Sequence, residues 1–145
     1  MEVHDPTYHL KLIEMCDCYL DTDYATQIQR MAGAPSADLE EDAVKYLALA
    51  ILYTITEKAK KLTFKRKLDK LSVTVKTDDQ KLSLRAPSLE LFEKIVGIVR
   101  TILHFDEDKG ALPLSLGLRN GQLDVQVKLE RSGDKESLKI KFPEL

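Results

Sequence analysis

The sequence predicts an α+β fold: two N-terminal helices, then β-β-α-β-β-β, with five strands in one antiparallel sheet and the helices packed on one of its faces. Three observations carry that prediction. Apolar residues recur every three or four positions through the first 68 residues, as amphipathic helices require. From Leu71 the repeat shortens to two, the period of a strand whose side chains alternate between faces. Each strand-like run is apolar on one side only, which describes a half-covered antiparallel sheet rather than a parallel sheet buried on both faces. Residues 1–145 are expected to form a single domain: an N-terminal helical segment over 1–34, a long central helix over 36–68, and a sheet with one crossover helix over 70–145.

The first helix is expected from Asp5-Pro6, where an Asp side chain accepts from free amides and Pro at the first helical position wastes no donor. Its inward stripe runs Ile13, Cys16, Leu20, Tyr24, Ile28 and Met31, with Asp21-Thr22-Asp23 as a candidate break and Gly33-Ala34-Pro35 as the stop. Ser36 or Asp38 caps the central helix, which is charge-graded from Glu40, Glu41 and Asp42 to Lys58, Lys61, Lys65, Arg66 and Lys67, in the sense that complements the helix dipole. Its middle, Tyr46 to Tyr53, is apolar on every face, so other parts of the domain or a second copy of the chain must wrap it.

Leu71, Val73 and Val75, then Leu82, Leu84 and Ala86, predict a hairpin turning at Asp78-Asp79. Pro87-Ser88 opens a helix with Leu89, Phe92, Ile95, Val96, Val99, Ile102 and Leu103 on its apolar face, closed by the charged stretch before Gly110. Alternating runs flank Asn120-Gly121, a type I′ hairpin signal that sets Leu118 opposite Leu123, Leu116 opposite Val125 and Leu114 opposite Val127. A four-residue loop at Ser132–Lys135 sets Arg131 against Glu136, Leu129 against Leu138 and Val127 against Ile140. Pro113 and Pro143 are expected at strand ends, where a missing amide is tolerated.

Composition narrows the function classes. With 43% hydrophobic and 32% charged residues, six Gly and five Pro, the chain is an ordinary globular sequence. The net charge of −2 gives no general attraction for nucleic acid. The apolar run of the central helix falls short of the ~20 residues that span a bilayer, so no membrane association is expected. The opening Met-Glu-Val-His-Asp-Pro lacks the basic and apolar regions of a signal peptide, and two cysteines only two residues apart suit a reducing compartment; the expected location is cytoplasmic.

His4, His9, Cys16 and Cys18 are metal-ligand types close in sequence. On a helix, however, Cys16 and Cys18 lie about 200° apart, and His9 and Cys16 about 10 Å apart along the axis, so one ion cannot gather them. Asp21-Thr22-Asp23 is better explained as a helix cap than as a cation site, and His104 to Asp108 as a solvated helix end. No phosphate-binding, dinucleotide, nucleophile-elbow or zinc-protease motif is present, so no catalytic residue, cofactor or metal is assigned.

Lysine-rich runs are the remaining chemical signal. Lys58, Lys61, Lys65 and Arg66 at the expected basic helix end, with Lys128, Lys139 and Lys141 on the solvent face of the sheet, are the candidate anion-binding residues. Tyr46, Leu49, Ala50 and Tyr53 are the candidate self-association residues on the over-apolar helix. The leading expectation is a protein-interaction or assembly module acting as a homodimer or within a larger complex. An anion or nucleic-acid binding module using the basic residues is the alternative; the expected sheet face has no interleaved aromatic rings on which bases could stack. A small-ligand protein or enzyme with a pocket between helices and sheet is the third.

Overall fold

Ten elements make up the fold in a computed structural model that describes residues 6–20, 22–33, 38–118 and 121–143. In chain order they are α1 (Pro6–Cys18), α2 (Tyr24–Gly33), α3 (Leu39–Thr56), β1 (Lys61–Lys67), β2 (Lys70–Lys76), β3 (Lys81–Leu84), α4 (Leu89–Leu103), β4 (Lys109–Leu118), β5 (Gly121–Ser132) and β6 (Lys135–Lys141). The α+β class and the antiparallel sheet are as expected. The sheet has six strands rather than five, and three helices precede it rather than two.

Both corrections have local causes. The first helical segment divides because Asp23 caps a new start, its side chain accepting from the Thr26 amide at 3.1 Å. Asp5 and Ala34–Ser36, where the first start and stop were expected, lie outside the described residues, as does Asp21. The central helix does not run on to residue 68. It stops at Thr56, and Lys58 takes the left-handed conformation at φ 54° while the amides of Lys58 and Ala59 bond back to the Ile55 and Thr54 carbonyls. The basic stretch beyond is β1. Leu62 and Phe64, both fully buried, sit two residues apart, a spacing that puts both on one side of a strand but on opposite sides of a helix. Of the expected charge grading, only the acidic half belongs to α3: Asp38 caps it and Glu40, Glu41 and Asp42 occupy its first turn, while its last turn carries no base.

The strand order is β3-β2-β1-β6-β5-β4, antiparallel throughout. Two three-stranded meanders thus join through β1 and β6. The end of β3 and the start of β4 lie at opposite edges, and α4 connects them across the helix-side face. Its 15 residues extend about 22 Å, close to the ~24 Å width of six strands. Ser88 caps it, accepting from the Leu91 amide at 3.1 Å.

α3 lies in the middle of the molecule, contacting α1, α2, α4 and β1. Eleven of its 18 residues are buried, and the Tyr46 hydroxyl donates to the Arg85 carbonyl while its ring packs against Phe64. A helix apolar all round is therefore covered inside one copy of the chain, its few polar groups satisfied locally.

Registers follow expectation in β5–β6, where Arg131 faces Glu136, Leu129 faces Leu138 and Val127 faces Ile140. The β2–β3 turn falls at Thr77–Gln80, with the Thr77 hydroxyl accepting from the Gln80 amide. The β4–β5 register differs: Leu118 pairs with Gly121, Leu116 with Leu123, Leu114 with Val125 and Leu112 with Val127. The pairing is shifted by two positions from the expected one, a displacement that leaves every side chain on its own face and is therefore invisible to alternation. Arg119 and Asn120 lie outside the described residues. Pro113 is inside β4 rather than at its end, which β4 tolerates as an edge strand with one partner.

Candidate functional site

The helices cover only one face of the sheet. On the other, the odd positions of β1, β6 and β3 and the even positions of β2 and β5 point outward, and these are where the lysines lie. The register aligns them. Lys81 pairs with Lys76, Lys76 with Lys61, and Lys61 with Lys141, so four lysines form one row across four adjacent strands. In the next row Thr74 faces Thr63, Thr63 faces Lys139 and Lys139 faces Lys128. Lys65 follows, between Ser72 and Ser137.

Neighbouring strands are about 4.8 Å apart, so the four-lysine row spans roughly 14 Å. Like charges placed directly across a strand pair oppose each other. Lys61, at the centre, feels this most: partial burial and then the charges of Lys139, Lys76, Lys141 and Lys128 hold its ammonium below the ordinary lysine range. None of these lysines forms an ion pair among the described residues; the pairs that do form involve Lys60, Arg66, Lys109 and Arg131. The acids on the face lie toward its β4 side. Glu130 pairs with Lys109 at 3.5 Å, and Asp124 accepts from Ser115 and Gln122, bonds that hold its carboxyl below the usual range.

Of the seven anion-binding candidates, five are brought together here: Lys61, Lys65, Lys128, Lys139 and Lys141. Lys58 is set apart at the left-handed cap after α3. Arg66 stands on the opposite, helix-side face, in register with Glu136 and Leu71. Lys76 and Lys81 share the outward face without belonging to the sequence-derived candidate set; the alternation of β2 and β3, which puts both opposite the apolar positions, is the sequence signal that points to them.

The self-association candidates are placed differently. Tyr46, Leu49 and Ala50 are 0% exposed within one chain, and Tyr53 is half-buried. The apolar centre of α3 therefore has its cover within one chain at Tyr46, Leu49 and Ala50, while Tyr53 keeps part of its surface open.

Of the metal-ligand types noted near the N-terminus, His4 lies outside the described residues. Cys16 is buried in the core and Cys18 is exposed. His9 Nε2 lies 2.9 Å from the Ser115 carbonyl oxygen, tying α1 to β4. Among the described residues no group of three or more His, Cys, Asp or Glu side chains is placed to hold a metal ion. No helix among them is long and apolar enough to cross a membrane. No protein-family model matches the chain, and no curated protein matches it.

Proposed function

We propose that the protein is a docking module whose open sheet face binds an acidic protein surface. The observation that carries this reading is the four-lysine row Lys81–Lys76–Lys61–Lys141, flanked by Lys128 and Lys139 and interleaved with Ser and Thr rather than with carboxylates. An array of like charges is a cost to the isolated domain, and an opposing set of carboxylates converts that cost into affinity.

Size supports the reading. Six strands of about seven residues present roughly 24 Å by 23 Å, some 550 Å² in projection, approaching one side of a standard protein interface of about 800 Å² accessible area. An acidic protein is favoured over nucleic acid on two grounds. The net charge of −2 provides no long-range steering of a polyanion, so attraction acts only within a Debye length of the face, about 8–10 Å. The outward positions of the sheet also carry no aromatic ring for base stacking.

The test is the binding of a fluorescent glutamate-rich peptide and, separately, of a DNA duplex, each at low and high salt. Saturable peptide binding that weakens with salt is expected, and charge reversal at Lys61→Glu with Lys76→Glu should reduce it about tenfold or more. Equal peptide binding by the reversed variant overturns the proposal. Tighter, salt-steep binding of duplex would transfer the face to the nucleic-acid reading.

A further inference from the structure

A second polar site lies on the opposite face of the sheet, where α4 passes over the ends of β1, β5 and β6. Arg66, Glu136 and Arg131 stand in one row across β1, β6 and β5. From α4, Glu93, Gly97 and Arg100 line the same cleft, whose volume is about 310 Å³. Three guanidinium groups and two carboxylates thus meet where the helix layer leaves the sheet uncovered.

Several of the donors are spoken for. Arg131 Nε binds Asp108 Oδ1 at 2.8 Å and Nη2 reaches the Asp106 carbonyl. Arg100 Nη1 donates to the Glu107 carbonyl at 2.7 Å, its guanidinium resting over the Phe105 ring. Arg66 Nη1 donates to the Leu68 carbonyl at 3.0 Å, and its Nη2 is 4.0 Å from Glu136, too long for a hydrogen bond. Three donors are both buried and without a partner among the described residues: Arg66 Nε, Arg100 Nε and Arg100 Nη2. Buried cationic donors left unmade are costly, and native proteins rarely keep three together.

The arrangement of those donors selects a ligand. Nε and Nη2 form one edge of the Arg100 guanidinium, two parallel N–H bonds that take two oxygens of one anion. Arg66 Nε, approaching from the sheet instead of the helix, offers a third. A planar carboxylate is used up by the Arg100 edge alone, whereas a tetrahedral oxyanion presents a further oxygen out of that plane. Gly97 leaves the helix side open: a Cβ built there meets nothing within 4 Å.

We propose that this cleft binds a tetrahedral oxyanion, either free phosphate or the phosphoryl group of a small phosphomonoester, gripped by Arg100 from α4 and Arg66 from β1. The site is independent of the lysine face, since Arg66 and Lys65 point to opposite sides of β1. Burial first and Arg131 second hold the Arg100 guanidinium below its ordinary range, against the opposing influence of Glu136, Asp106 and Asp108.

Inorganic phosphate titrated at constant ionic strength against chloride, with the arginine Nε–H resonances followed by NMR, tests the assignment. Saturable shifts of the Arg66 and Arg100 signals are expected. Arg100→Gln should weaken binding about tenfold or more. Gly97→Leu, on an exposed helix position with open space around it, should close the cleft while the fold stays intact. Glycerol phosphate in place of phosphate identifies the source: tighter binding means a phosphomonoester, equal or weaker binding means the free ion. The absence of saturable arginine shifts overturns the proposal, as does undiminished binding by Arg100→Gln.

Discussion

An added methyl group at Gly110 has nowhere to go: its Cβ would sit 2.6 Å from Phe105 Cζ and 2.7 Å from Cε1. Gly110 lies where β4 begins, and the Phe105 ring fills the space above it beneath the Arg100 guanidinium. Gly110→Ala must therefore displace the ring, and about 1–3 kcal/mol of stability should be lost in denaturant unfolding. Unchanged unfolding would mean the ring moves freely and does not anchor Arg100. Both residues were visible in the sequence, but only as a closing glycine and a charged stretch. Contact between a strand glycine and a ring five residues earlier depends on how the chain leaves α4, through His104 in the left-handed conformation at φ 56°.

Among the elements, β1 shows how a local signal is misassigned and what the reassignment changes. Residues 57–70 hold seven bases and two acids, a density that suits a helix C-terminus by dipole complementarity. The same stretch alternates: Leu62 and Phe64 are buried, while Lys61, Thr63 and Lys65 lie between and beside them on the outward side. Two periods competed, and burial of Leu62 and Phe64 against the helix layer decided for the strand. As a strand, β1 occupies the middle of the sheet and brings Lys61 between Lys76 and Lys141. Replacing that charge should stabilise the isolated domain. For Lys61→Thr, a gain of about 0.2–1 kcal/mol is expected at low salt, shrinking as salt screens the row. Thermal unfolding across a salt series checks it; a loss of stability at low salt would show that the lysines do not oppose one another.

For the molecule as a whole, burial of ionisable groups in the core ties stability to high pH. Burial, aided by Asp17, raises the Cys16 thiol from near 9 to about 12, and burial likewise raises the Tyr46 phenol above its ordinary value. Above pH 9 the unfolded chain releases these protons while the folded chain keeps them, so the folded state binds more protons and stability falls with rising pH. The loss should begin near pH 9 for Cys16 and continue toward pH 12, with a limiting slope of about 1.4 kcal/mol per pH unit for each group. Cys16→Ala should make the slope shallower, whatever it does to stability at neutral pH; an identical slope would remove Cys16 from the account. Taken alone, the sequence determined the α+β class, the core-facing side of the five strands it predicted, the Ser88 cap and the β5–β6 register, and it offered Asp38 as one of two caps for α3. These are set by periodicities and turn chemistry acting over a few residues. Tertiary structure decided the sixth strand, the joining of the two meanders through β1 and β6, the β4–β5 register and the internal cover of α3. It also decided which bases share a surface, sending Lys65 to the open face and Arg66 to the cleft beneath α4. Alternation tells adjacent residues that they part, but only the pairing of strands distant in sequence fixes which charges each of them meets.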